Sequence, residues 1–93
     1  MNAKAHRQQV TDAEIQNAID GVVAKLHFRI AEKGAGTMAS NHEILGTITE
    51  ELREYEGAIH ARLSELAKVE ELKDIAVGAI FGIASIQSGG VDW

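Results

Sequence analysis

Between Glu50 and Asp74 the chain reads EELREYEGAIHARLSELAKVEELKD, with acids gathered at its two ends. Residues three apart share one face of a helix. Glu51 with Glu54 therefore makes one two-carboxylate edge, and Glu71 with Asp74 makes another. On a single straight helix, Glu54 and Glu71 would stand about 25 Å apart at 1.5 Å per residue, too far to serve one site. Both the inner pair (Glu54, Glu71) and the outer pair (Glu51, Asp74) are equidistant from a point between Arg62 and Leu63. A turn there folds the chain into an antiparallel hairpin and brings the edges level. No glycine or proline marks this turn, and its place within His60 to Glu65 rests mainly on that symmetry. Ser64 is the best available N-cap for the helix that follows.

Four facing carboxylates repel one another and are costly to desolvate. A divalent cation relieves both problems, and all-oxygen ligation suits hard ions such as Mg²⁺ or Mn²⁺. Charge placement agrees. The net charge is −5, and Glu43 to Asp74 alone holds nine acids against four bases. The competing reading is a solvated acidic face. A net negative chain argues against a nucleic-acid partner.

The double motif, EExxE and then ExxD on the following helix, resembles the MazG-type nucleoside triphosphate pyrophosphohydrolases. HEILGTITEELREYEGAIHAR and ELKDIAVGAIFGIASI are similar to the small phage-like members in particular. The resemblance spans roughly residues 18–88. It implies an all-α fold in which Glu51, Glu54, Glu71 and Asp74 bind Mg²⁺, with Mn²⁺ as a substitute. Glu50, the first residue of EExxE, would bind a further ion or orient the attacking water. The implied reaction is attack of water on the α-phosphorus of a (d)NTP, releasing (d)NMP and pyrophosphate. In this family a later helix often brings basic residues to the phosphates, whereas no basic residue follows Lys73 here. Phosphate contact is then expected from Lys25, Arg29 or Lys33, which recur every four residues, and Phe28 is placed either to stack on a base or to contact a partner subunit. The bland reading of the same strip is surface pairing with Glu32 and neighbouring helices. The alternative function is a non-catalytic helical dimer that keeps the scaffold as a metal- or ligand-binding or interaction module.

Three helices are expected, over about 12–33, 41–62 and 66–87. Thr11 and Glu14 form a capping box for the first, with Val10 and Ile15 spaced as a hydrophobic staple. Its apolar row is Ile15, Ile19, Val22, Leu26 and Ile30, and Lys33-Gly34 closes it. Residues 1–10 read as a flexible arm. Ser40 and Glu43 form a second capping box, and the core face of helix two reads Ile44, Ile48, Leu52, Tyr55 and Ile59. Helix three is apolar nearly all round after Asp74, and such a helix must be covered on every face. Two other helices from 93 residues do not suffice, so a homodimer centred on helix three, or a dimer of dimers, is expected. Gly78 and Gly82 would permit close helix approach there. The chain lacks cysteine, so disulfides and thiolate metal sites are excluded. The run Ile75–Ile86 is too short to span a bilayer, and a cytoplasmic location is the expectation.

Overall fold

The computed structural model describes residues 7–93 and contains three α-helices: α1 (Asp12–Lys33), α2 (Asn41–His60) and α3 (Glu65–Gln87). Among the described residues there is no strand, and no helix is long and apolar enough to cross a membrane. Lys4 and His6 of the expected arm lie outside the described residues, while residues 7–10 are non-helical and exposed.

Local chemistry starts each helix. The Thr11 hydroxyl accepts from the Glu14 amide at 3.1 Å, and the Glu14 carboxylate accepts from the Thr11 amide at 2.9 Å. That reciprocal bond satisfies two of the orphan donors of the first turn and holds the Glu14 carboxyl below its ordinary range. Val10 stays 68 % exposed, so a staple adds little there. Gly34, with φ 87°, turns the chain out of α1 and donates to the Ile30 carbonyl at 2.7 Å. Ser40 caps α2 by accepting from the Glu43 amide at 3.0 Å. The capping box expected at that end is modified, because Glu43 accepts from the Ala39 amide, at 3.1 Å, one residue before the cap.

The α2–α3 turn lies at residues 61–64. Helix α2 stops at His60 rather than near residue 62, because Arg62 adopts a left-handed conformation (φ 53°). The Ala61, Arg62 and Leu63 amides then donate to Gly57, Ile59 and Ala58 carbonyls, closing the helix without a glycine. Ser64 caps α3, accepting from the Ala67 amide at 3.1 Å.

The hairpin is tight. A Cβ placed on Gly82 would meet the Ile44 Cγ2 at 2.8 Å, and one on Gly78 would touch Ile48 and Thr47 at 3.8 Å. The small residues of α3 are thus used against α2 of the same chain, not kept for a partner. Val77, Gly78, Gly82 and Ser85 are the buried residues of α3, and Ala58 is the buried residue of α2. The α2 seam runs Ile44, Ile48, Glu51, Tyr55, Ala58, spaced four and three like one stripe of a coiled coil. Leu52 and Ile59, assigned to the core face from their apolarity, lie outside it, 55 % and 49 % exposed. Helix α1 rests on α3 and buries none of its residues. Its C-terminal half (Val22, Leu26, Ile30) is half-buried, whereas Ile15, Ile19 and Val23 are exposed.

The far end of the hairpin is tied by the linker and the tail. The Met38 amide donates to the buried Ser85 hydroxyl at 3.1 Å, and the Asp92 amide to the Ala39 carbonyl at 2.7 Å. The Asn41 amide donates to the Trp93 carbonyl at 2.6 Å, and the Trp93 ring sits 5.3 Å from that of His42. These contacts fix the start of α2 against the end of α3, and so fix the register further along.

Candidate metal centre

Midway along the hairpin the seam changes from apolar to acidic. Glu51 and Glu54 on α2 meet Glu71 and Asp74 on α3, and one carboxylate oxygen from each lies within 4.8 Å of the others. Glu51, Glu71 and Asp74 are half-buried, and Glu54 is exposed at the outer edge. The opposed edges expected from the spacing around Arg62 are therefore level. The turn places them, and the contacts of Gly78 and Gly82 with α2 press them together.

Electrostatics show the strain of this arrangement. Burial, then Glu54, Asp74 and Glu71 close by, push the Glu51 carboxyl up to about 7. Burial and the neighbouring Glu54 likewise raise Glu71. One oxygen each of Glu51 and Glu71 (Oε2 in both) is buried with no hydrogen-bond donor. Buried polar atoms in folded proteins nearly always have a partner, so two donor-less oxygens at one acidic seam make it a candidate cation site. The donor set, four carboxylates with no nitrogen or sulfur ligand, would suit a hard cation.

The basic strip of α1 faces this ridge in part. Lys25 Nζ lies 2.9 Å from both Glu70 Oε2 and Asp74 Oδ1. Arg29 bridges Asp74 at 3.4 Å and Glu32 at 3.3 Å. Burial lowers Lys25, but Asp74 and Glu70 outweigh it and leave its pKa above the ordinary value; Arg29 is raised in the same way by Asp74 and Glu32. Hydrogen bonds from Lys25 and Lys73 hold Glu70 below its usual range. The pairing read from α1 thus includes its neighbour α3 as well as Glu32. Glu70, outside the two acidic motifs, is marked in the sequence only by its spacing, four before Asp74 and three before Lys73.

Beside the ridge a cleft of about 260 Å³ opens between the end of α1, the linker, α2 and α3. Its lining includes the charged residues Arg29, Lys33, Glu43 and Glu51 and the apolar residues Leu26, Ile30, Val77 and Phe81. Of the residues expected at a substrate, Arg29 and Lys33 line it, whereas Lys25 is turned to α3 and Phe28 does not line it, being 62 % exposed. Glu50 is exposed and outside the set of four. Phe81, on the apolar stretch of α3, is the aromatic side chain that lines the cleft.

Comparison with protein-family models, with curated proteins and with solved structures gives no significant match.

Proposed function

We propose that this protein is a helical module that binds a hard divalent cation, Mg²⁺ or Mn²⁺, between α2 and α3. The observation that carries this reading is the pair of donor-less buried oxygens of Glu51 and Glu71 within a group of four facing carboxylates. Their repulsion makes the empty hairpin the less stable form, so a cation that neutralises them stabilises the fold by mass action. The module works as a homodimer. Ile15, Ile19 and Val23 on α1, Leu45, Leu52 and Ile59 on α2, and Ile80, Ile83 and Ile86 on α3 are too many exposed apolar side chains for a lone domain. Thermal melts in EDTA and in Mg²⁺ or Mn²⁺ test the site. The expectation is a higher melting temperature with either ion and none of that gain when Glu51 and Glu71 are both changed to Gln.

A second reading is favoured by the cleft. Arg29 and Lys33 line the same cleft as Glu51, so an anion held there would lie beside one of the four carboxylates. That arrangement suits a nucleoside triphosphate, and it supports the Mg²⁺-dependent pyrophosphohydrolase activity that the MazG-type resemblance implies. In this reading Arg29 and Lys33 bind phosphate oxygens, and Leu26, Ile30 and Phe81 shelter the apolar part of the ligand from water. The bound ion supplies charge neutralisation at phosphate and an activated water. The chain's own contribution is to hold the carboxylates and bases in place before substrate arrives, so that little reorganisation is needed. The test is pyrophosphate release from a panel of dNTPs with Mg²⁺, in wild type and Glu54→Gln. Release by wild type, lost in a folded E54Q protein, supports catalysis. Equal release by both removes Glu54 from the chemistry, and no release by wild type leaves the cation-binding module.

A further inference from the structure

Lys25 is held as a bound cation would be. Its ammonium has three donors. They meet three oxygens: Glu70 Oε2 at 2.9 Å, the Glu70 carbonyl at 3.0 Å and Asp74 Oδ1 at 2.9 Å. Its side chain is only 16 % exposed, as is that of Asp74. The same Asp74 oxygen also faces Arg29 at 3.4 Å, and Glu70 also accepts from Lys73 at 3.3 Å. Asp74 is one of the four carboxylates of the acidic ridge, so the residue that would help ligate a metal ion already has a positive partner from α1.

We infer that Lys25 is a built-in competitor for the acidic ridge, a tethered counter-ion on α1 that sets how tightly the hairpin takes up a divalent cation. The inference rests on the cation-binding reading above. Two positive groups that share Asp74 oppose each other by charge and by demand for the same lone pairs. Linkage then requires each to weaken the other by one and the same factor. Cation uptake loosens the Lys25 contact, and with it one of the few polar ties between α1 and α3. Glu51, Glu54 and Glu71 make no hydrogen bond or ion pair with Lys25 among the described residues, so the competition centres on the Asp74 end of the ridge.

The test is Mn²⁺ titration by calorimetry on wild type, Lys25→Met and Lys25→Arg, at low ionic strength, with helix content checked by circular dichroism. The expectation is that K25M binds Mn²⁺ about tenfold more tightly than wild type while K25R stays close to it. A K25M protein that binds with unchanged or weaker affinity overturns the inference while leaving the cation site standing. If neither wild type nor K25M binds Mn²⁺, both readings fall together. Wild type alone gives an independent readout through acylation of lysine amines followed by mass spectrometry. Saturating Mg²⁺ should raise the labelling rate of Lys25 severalfold and leave Lys68, which pairs with Glu65, unchanged. Unchanged or slower labelling of Lys25 overturns the inference even if K25M fails to fold.

Discussion

Glu51 on α2 and Glu71 on α3 face the same acidic seam, and each keeps one buried carboxylate oxygen that no donor satisfies. Replacing a charged carboxylate there by an amide removes repulsion and supplies a donor. Glu51→Gln is therefore expected to stabilise the metal-free protein at pH 8 by about 1–3 kcal/mol, and one kcal/mol is roughly 4–8 °C of melting temperature for a chain of this size. The same substitution should abolish most of the stabilisation by Mg²⁺. Melting curves with EDTA and with Mg²⁺ check both signs.

The raised carboxyl of Glu51 gives a pH dependence with a definite sign. In the unfolded chain this group ionises near the ordinary glutamate value of 4.5, and in the folded chain only near 7. Between those values the folded state holds more protons, so metal-free stability falls as pH rises from about 4.5 to 7 and the loss is complete above that. Glu70, held low by Lys25 and Lys73, acts in the opposite direction below 4.5. Cation affinity has the reverse trend, since the ligand must lose its proton, and should climb between pH 6 and 8. Denaturant melts across pH, and Mn²⁺ titrations at the same values, are expected to show opposite slopes.

Two glycines on one helix should respond differently to the same change. At Gly82 an added methyl meets Ile44 at 2.8 Å, whereas at Gly78 its nearest neighbours are at 3.8 Å. Gly78→Ala gains helix propensity with no clash and should stabilise by roughly 0.5–1 kcal/mol. Gly82→Ala must force α2 and α3 apart, at a cost of about 1–3 kcal/mol that offsets or exceeds that gain. Because the acidic ridge depends on the same helix spacing, G82A should also weaken Mn²⁺ binding and G78A should not. Chemical denaturation and calorimetry of the two variants read out the contrast.

Leu45, Leu52 and Ile59 recur every seven residues along the outward face of α2, and all three are exposed. If a second copy covers such faces, sedimentation equilibrium will give twice the chain mass of 10.0 kDa. Leu52→Asp combined with Ile59→Asp should shift that mass toward the monomer, because each charge would be buried without a partner. A monomer at all accessible concentrations would remove the dimer from the account.

Much of this fold is written in short-range chemistry. Thr11 with Glu14, Ser40, Ser64 and Gly34 mark helix ends by their hydrogen-bonding and backbone preferences, and the structure uses them so. The acidic hairpin was legible through spacing alone, because both carboxylate pairs straddle the same turn. The direction of the α2 face was legible only in part, since Ile44, Ile48 and Tyr55 do lie on the seam. Leu52 and Ile59 look like core residues by apolarity, yet the seam is chosen by Gly78 and Gly82, which let α3 approach the Ile44–Ile48 side and carry Glu51 inward. The partners of Lys25 were equally hidden, since pairing with Glu70 and Asp74 depends on how α1 settles on α3, some 45 residues away along the chain. The left-handed conformation of Arg62 has no signature in composition, so only the symmetry of the carboxylates points to a turn there.

The most direct test is calorimetric titration of Mn²⁺ into metal-free wild-type protein and into the Glu51→Gln, Glu71→Gln double variant at pH 8. The account predicts saturable binding by wild type and none by a double variant that retains its helix content. Heats indistinguishable between the two proteins, or no binding by wild type, would contradict it.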